Sequence, residues 1–156
     1  MSEFPVDQFA LPGALTLIGI RQYTRFLRAV GASRMKHKVT PPAIEGNPEF
    51  ERTFRAQQNT LEFYPPSLGG LWIGSVFFHP VPASLLYAGY LYGRERYFHD
   101  YTEDTEKRLP GFRLSLRFLM GLLLISVLGV GHKAVRYYGD VDLLKLVQDH
   151  VPMLKF

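Results

Sequence analysis

Polar and apolar positions are segregated along this chain. Residues 9–20, 63–93 and 118–131 contain no Asp, Glu, Lys or Arg, and the charge lies in the segments around them. A membrane-spanning helix needs about 20 mostly apolar residues. The middle stretch is therefore too long for one helix, and Pro80 and Pro82 break it, because proline lacks an N–H and restricts the residue before it. The pattern predicts helices over about residues 12–36, 48–78, 82–101 and 110–138. Each begins near a proline, whose missing N–H would have no partner in a first turn. The outer stretches reach spanning length only with the polar residues at their ends. A soluble four-helix bundle would show a polar stripe on every helix, whereas residues 63–93 offer only hydroxyls, one Trp, one His and small residues.

The expected fold is thus all-α, a four-transmembrane-helix bundle in a single domain over residues 1–156. The connector VTPPAIEGN, residues 39–47, reads as a turn-rich loop. After Gly139, residues 140–151 place Leu143, Leu144, Val147 and Val151 on one face, the pattern of a short amphipathic helix on the bundle or the membrane surface.

Composition by itself would suit a soluble globule: 47% apolar and 21% charged residues, with a mean hydropathy of −0.02. Distribution decides the class instead. The net charge of +4 and pI of 9.4 raise nucleic acid as a partner. The basic residues, however, cluster in residues 21–38 and 94–108, on one side of the expected bundle, and Glu103, Asp104 and Glu106 interrupt the second cluster. No nucleic-acid partner is expected. Basic loops set membrane orientation, so both connectors are expected in the cytosol, with the Pro80 turn and both termini opposite. The N-terminus has no basic stretch before its apolar run and carries Pro12 within it. The first helix, rather than a cleaved leader, is the expected targeting signal.

With no cysteine in the chain, thiol chemistry must arrive with a substrate. The five histidines show no metal-ligand spacing and no convincing carboxylate partner one turn away, and read as loop or interface residues. No metal or resident cofactor is expected. Gly121, Gly129 and Gly131 read as close-packing positions on the fourth helix.

The informative stretch is EFERTFRAQQNTLEFYP, residues 49–65, directly before the long uncharged segment. In a helix Arg55, Asn59 and Glu62 fall at i, i+4 and i+7, on one face. Tyr90, Arg94, Tyr97 and Tyr101 share a face of the third helix in the same way. Two such faces would supply guanidinium, carboxamide, carboxylate and phenol groups, suited to a small zwitterionic peptide. Interface anchoring accounts equally well for Tyr90 and Tyr97, and Arg55 has Glu62 or Glu51 as simple ion-pair partners. Ionisable groups at membrane depth cost about 2.5–3.5 kcal/mol each, which favours a functional reading of Arg55 and Glu62. Arg108 stands just before Pro110, where the positive helix end adds to its charge. A thiol held there is driven toward thiolate. A free thiol titrates near about 8.5, and each unit of depression corresponds to about 1.4 kcal/mol. The alternative is an interface anchor, a role open also to Lys107.

FERTFRAQQNTLEFYP, preceded by KVTPPAIEGNPE and followed by LYGRERYFHDY and GFRLSL, resembles the MAPEG family of membrane-associated proteins in eicosanoid and glutathione metabolism. The resemblance covers residues 34–116. It implies a homotrimer of four-helix subunits in the endoplasmic reticulum and nuclear envelope, with the site facing the cytosol and glutathione, as co-substrate, in clefts between subunits. It puts Arg34, Arg55, Gln57, Asn59, Glu62, Arg94, Tyr97 and Tyr101 at glutathione-contacting positions and Arg108 at the thiol-activating position. The implied partners are glutathione, membrane lipid and a lipophilic electrophile such as a fatty-acid epoxide. The implied reaction is conjugation of the thiolate to that electrophile, with lipid-hydroperoxide reduction as a side activity. Against the leukotriene-forming members, Phe63 replaces a tyrosine, Met35 replaces an arginine proposed to protonate the opened epoxide, and Met120 replaces a tryptophan at the lipid tail. These departures favour a broader transferase. The alternative is a non-catalytic lipid-presenting scaffold, as in the lipoxygenase-activating branch of the family. Arg21, Arg25 and Arg28 on one face of the first helix are not part of the family pattern. Snorkelling or a polar cleft would account for them.

Overall fold

A computed structural model describes residues 6–139. It is all-helical in that range, with a short 3-10 turn, Val6–Phe9, leading into four long helices: α1 Ala10–Lys36, α2 Pro48–Phe77, α3 Pro80–Glu103 and α4 Arg108–Tyr138. The expected amphipathic segment over residues 140–151, in the tail 140–156, lies outside the described residues.

Local chemistry sets the helix ends. Asn47, in extended backbone, accepts from the Glu49 N–H through its side chain at 2.8 Å, and Pro48 opens α2. This is an N-cap followed by proline in the first turn. The third helix begins two residues before the expected position, because His79 is extended and its Nδ1 accepts from the Val81 N–H, leaving Pro80 to start the turn. It also runs to Glu103 rather than 101. Asp104 then caps the turn Thr105–Lys107 through the Glu106 N–H. That turn feeds into α4, so Arg108, not Pro110, is the first residue of the helix.

Pro65 and Pro66 lie within α2 without ending it. The two missing N–H groups fall just after Glu62. At that level Tyr90 on α3 donates its hydroxyl to the Phe63 carbonyl at 3.3 Å. The hydroxyls of Thr16, Thr60 and Ser75 turn back onto carbonyls four residues earlier, and Ser126 does so while also reaching the Gly70 carbonyl on α2. A buried hydroxyl is thereby satisfied without a polar partner from another layer.

The α3–α4 contact is backbone-close. A Cβ on Gly93 would stand 2.6 Å from the Ser115 nitrogen, and one on Gly111 would run into the Tyr97 backbone. Of the expected packing glycines, Gly129 abuts the Phe77–Phe78 backbone and Gly121 touches Leu86, whereas Gly131 has open space around it. Its position beyond the α2–α3 hairpin is the reason. Two cores result. Leu71, Ala83, Tyr87, Tyr90, Leu91, Leu119 and Leu122 fill the apolar half, and Phe26, Ala56, Tyr97 and Phe98 fill the charged half.

Among the described residues, one helical stretch, Thr105–Tyr138, is long and apolar enough by composition to cross a membrane. Four such helices were expected. In α1, α2 and α3 the charged residues extend to mid-helix, leaving each with only a short uncharged half. That half nevertheless turns large apolar side chains outward, including Leu17, Ile18, Trp72, Ile73, Val76 and Leu85. An exposed apolar belt of this kind marks a membrane or protein contact surface.

Candidate functional site

The charged half holds the candidate chemistry, and Arg94 is its centre. This arginine is completely buried. Its Nη1 donates to the Asn59 carbonyl oxygen on α2 at 2.8 Å. Its guanidinium carbon lies 4.5 Å from the Phe63 ring centre and 5.3 Å from that of Tyr97, with Tyr90 and Phe112 completing the surround. Nε and Nη2 have no hydrogen-bond partner among the described residues. Aromatic faces offset part of the cost of such a cation. They do not replace hydrogen bonds, and a buried charge with orphaned donors is normally paired.

From Arg94 a line of contacts runs both ways. Asn59 turns its amide nitrogen toward the Glu62 carboxylate at 3.4 Å. Tyr97 packs on Tyr101 at 5.6 Å between ring centres. The Arg108 guanidinium carbon lies 5.6 Å from the Tyr101 ring centre, and its Nη1 donates to the Thr105 carbonyl at 2.5 Å. Gly111 on the backbone of Tyr97 fixes the register that makes this possible. Glu62, Asn59, Arg94, Tyr97, Tyr101 and Arg108 are therefore contiguous along α2, α3 and the start of α4.

Four expected site residues are not part of this line. Arg34 donates to the Val39 and Ala43 carbonyls at 3.2 and 2.7 Å and covers Phe50, holding the α1–α2 loop. Gln57 faces α1, donating to the Tyr23 hydroxyl at 2.9 Å. It lies two residues from Asn59, about 200° around the helix. Arg55 is exposed and donates to Gln58 at 3.3 Å, not to Glu62 or Glu51. Met120 is half exposed on the outer face of α4.

Sequence reasoning missed two participants. Phe112 packs over Arg94 and meets Phe63 edge-on; its position one residue after the tight Gly111 contact was the available signal. Glu95 gathers Gln22 at 2.8 Å, Arg25 at 2.5 Å and His99 at 2.9 Å. The expectation that no histidine has a carboxylate one turn away is thus corrected at His99. Arg21 and Arg25 line a small groove of about 290 Å³ beside Glu95, consistent with a polar cleft. Two open grooves, of about 680 and 690 Å³, lie at the opposite end of the bundle and contain none of the candidate catalytic side chains. The site is a surface-reaching line of polar groups, not an enclosed cavity in one chain.

The sequence model of the MAPEG family matches residues 14–128. Among curated proteins, the chain is 44% identical to microsomal glutathione S-transferase 2 of Homo sapiens over 135 residues, 86% of this chain and 92% of that protein. It is 45% identical to the Mus musculus protein of the same name over 136 residues, 87% and 92% of the two chains. It is 40% identical to leukotriene C4 synthase of Cavia porcellus over 124 residues, 80% and 83% of the two chains.

Proposed function

The chain belongs to the MAPEG family, and on that premise we propose that it is a membrane-bound glutathione transferase acting on lipophilic electrophiles. The single observation that carries this reading is the completely buried Arg94, which spends one nitrogen on Asn59 and keeps two without partners. A guanidinium with orphaned donors, flanked by an amide, a carboxylate and phenols, matches a small peptide bearing carboxylates and an ammonium. The name microsomal glutathione S-transferase 2, carried by its human and mouse relatives, points to the same peptide.

In this reading Glu62 takes the ammonium of glutathione, Arg94 and Asn59 its carboxylate or amide groups, and Tyr97 and Tyr101 flank it. Arg108 stabilises the thiolate after the thiol proton has left to solvent. The thiolate attacks the electrophilic carbon, a C–S bond forms, and in an epoxide the C–O bond breaks and the oxygen takes a proton from solvent. Met35 is largely exposed and offers no acid for that step. The outward position of Arg55 and Glu62 favours a site completed by a second copy, in a homotrimer with Arg34 and Gln57 contributing from their own faces. The exposed apolar belt supports a four-helix membrane bundle, placed in the endoplasmic reticulum and nuclear envelope with the charged half toward the cytosol. A leukotriene epoxide is included among the electrophiles, and lipid hydroperoxides among the oxidants.

The test is conjugation by the detergent-purified protein with a generic aromatic electrophile and with a leukotriene epoxide, beside saturable glutathione binding. Conjugation that collapses in Arg108→Ala while binding persists supports the reading. Lipid binding without conjugation or glutathione binding would replace it with the scaffold alternative.

A further inference from the structure

At the opposite end of the bundle α4 outruns its neighbours. Gly129 sits against the Phe77–Phe78 backbone where α2 ends. The helix continues to Tyr138, about 13 Å further at 1.5 Å per residue. Two open grooves flank this projection. One, of about 680 Å³, is walled by Val76, Phe77, Val130 and Ala134 and edged by Lys133 and Arg136. The other, of about 690 Å³, is walled by Phe77, Phe78, Val127 and Leu128 and edged by His132 and Lys133. Phe77 and Lys133 line both.

Neither Lys133 nor Arg136 has an ion-pair partner among the described residues. Tyr137 and Tyr138, at 81% and 85% exposure, stand beside them. Basic and tyrosine side chains at the end of an apolar segment are headgroup-level chemistry. The spacing agrees. Lys133 lies 16 residues after Arg117, about 24 Å along the axis, and outward-reaching side chains at both ends extend that span to match a hydrocarbon core of about 30 Å. The basic-loop rule puts the cytosol at the other end, so this cluster is not needed to orient the chain.

We propose that the projecting end of α4 is a binding site for one diacyl anionic phospholipid, its two chains in the two grooves and its phosphate on Lys133 and Arg136. Two apolar channels that share Lys133, a cation with no ion-pair partner among the described residues, fit one headgroup with two tails. The inference rests on the bundle lying in a membrane, not on its catalytic chemistry.

The experiment uses the full chain in detergent micelles, with phosphatidylglycerol or phosphatidylcholine of the same acyl chains added and bound lipid read by native mass spectrometry. Phosphatidylglycerol is expected to be retained preferentially, and the preference to fall roughly fivefold for each charge removed in K133Q and R136Q. Thermal unfolding and elution volume in the same detergent serve as the folding control for these variants. A photo-reactive benzoylphenylalanine at Val130 is expected to crosslink to phospholipid. Equal retention of the two lipids, a preference unmoved by the double variant, or a crosslink to residues 140–156 or to a second copy overturns the site while leaving the membrane reading intact. A chain that stays monodisperse without detergent overturns both.

Discussion

Arg94 and Asn59 are joined across α3 and α2 by one 2.8 Å hydrogen bond, made where the guanidinium has no exposed surface. The two residues have unequal weight. Asn59 answers one donor of a buried cation, so Asn59→Ala leaves that cation with no hydrogen-bonded partner on its side chain. Removing a buried hydrogen bond to a charged group costs about 1.5–3 kcal/mol. Asn59→Ala is expected to unfold at distinctly lower temperature than the parent chain in the same detergent. Arg94→Met removes the charge along with its desolvation cost. It is expected to keep the stability of the ligand-free protein within about 1.5 kcal/mol while weakening glutathione binding by at least about tenfold, the worth of one lost charge-assisted hydrogen bond. Thermal unfolding and calorimetric binding on the two variants read both effects.

The α3–α4 glycines give a second prediction. Alanine at Gly93 would push its Cβ into the Ser115 backbone, and backbone cannot rotate aside as a side chain does. Gly93→Ala and Gly111→Ala are expected to destabilise by about 1–3 kcal/mol and to displace Tyr97 and Tyr101 from Arg108. Gly131→Ala, with nothing within 4 Å, is expected to be neutral or to stabilise by up to about 1 kcal/mol through helix propensity. Unfolding midpoints of the three variants side by side test the register argument.

How much of this was legible in the sequence follows from what periodicity encodes. Prolines and charge boundaries located the four helices to within about two residues at most ends, because capping and proline chemistry are local. Faces were legible as well: Asn59 with Glu62, and Arg94 with Tyr97 and Tyr101, do share their sides. Periodicity gives a direction around a helix but not the neighbour met there. Gln57 therefore went to Tyr23 and Arg34 to its own loop, and the Glu95 network joined residues some 70 positions apart. Phe112 was overlooked because an apolar residue in an apolar helix carries no mark of the cation it covers. The expectation of four spanning helices rested on including polar ends, and charges reaching mid-helix in three of them leave one that qualifies by composition.

Arg34 offers a way to separate loop holding from ligand contact. Its two carbonyl acceptors, Val39 and Ala43, are both served by Nη1 while the planar guanidinium covers the Phe50 ring, a stacked arrangement that lysine does not reproduce. In Arg34→Lys, amide hydrogen exchange over residues 38–46 is expected to accelerate in ligand-free protein, with exchange in α3 unchanged. Faster exchange absent from the loop would assign Arg34 to ligand alone.

Tyr101 carries Arg108 by its ring face, 5.6 Å from the guanidinium carbon. Exposed to partly buried cation–π contacts contribute about 0.5–2 kcal/mol, and the phenol oxygen is not needed for them. Tyr101→Phe is expected to retain conjugation within about threefold, and Tyr101→Leu to lose about tenfold or more in kcat/KM. Equal losses in both variants would move the role of Tyr101 from its ring to its hydroxyl.

The claim at the centre of the account is that Arg108 lowers the proton affinity of a bound thiol. The direct measurement is the ultraviolet thiolate absorbance of glutathione bound to the purified protein, followed against pH for the native chain and for Arg108→Ala. In the native chain the bound thiol is expected to titrate at least one unit below its free value of about 8.5, and in the variant to return to it. Thiolate therefore persists to lower pH in the native chain, and the acidic limb of its conjugation profile moves down by the same amount. A bound thiol that titrates alike in both proteins would contradict the assignment of Arg108.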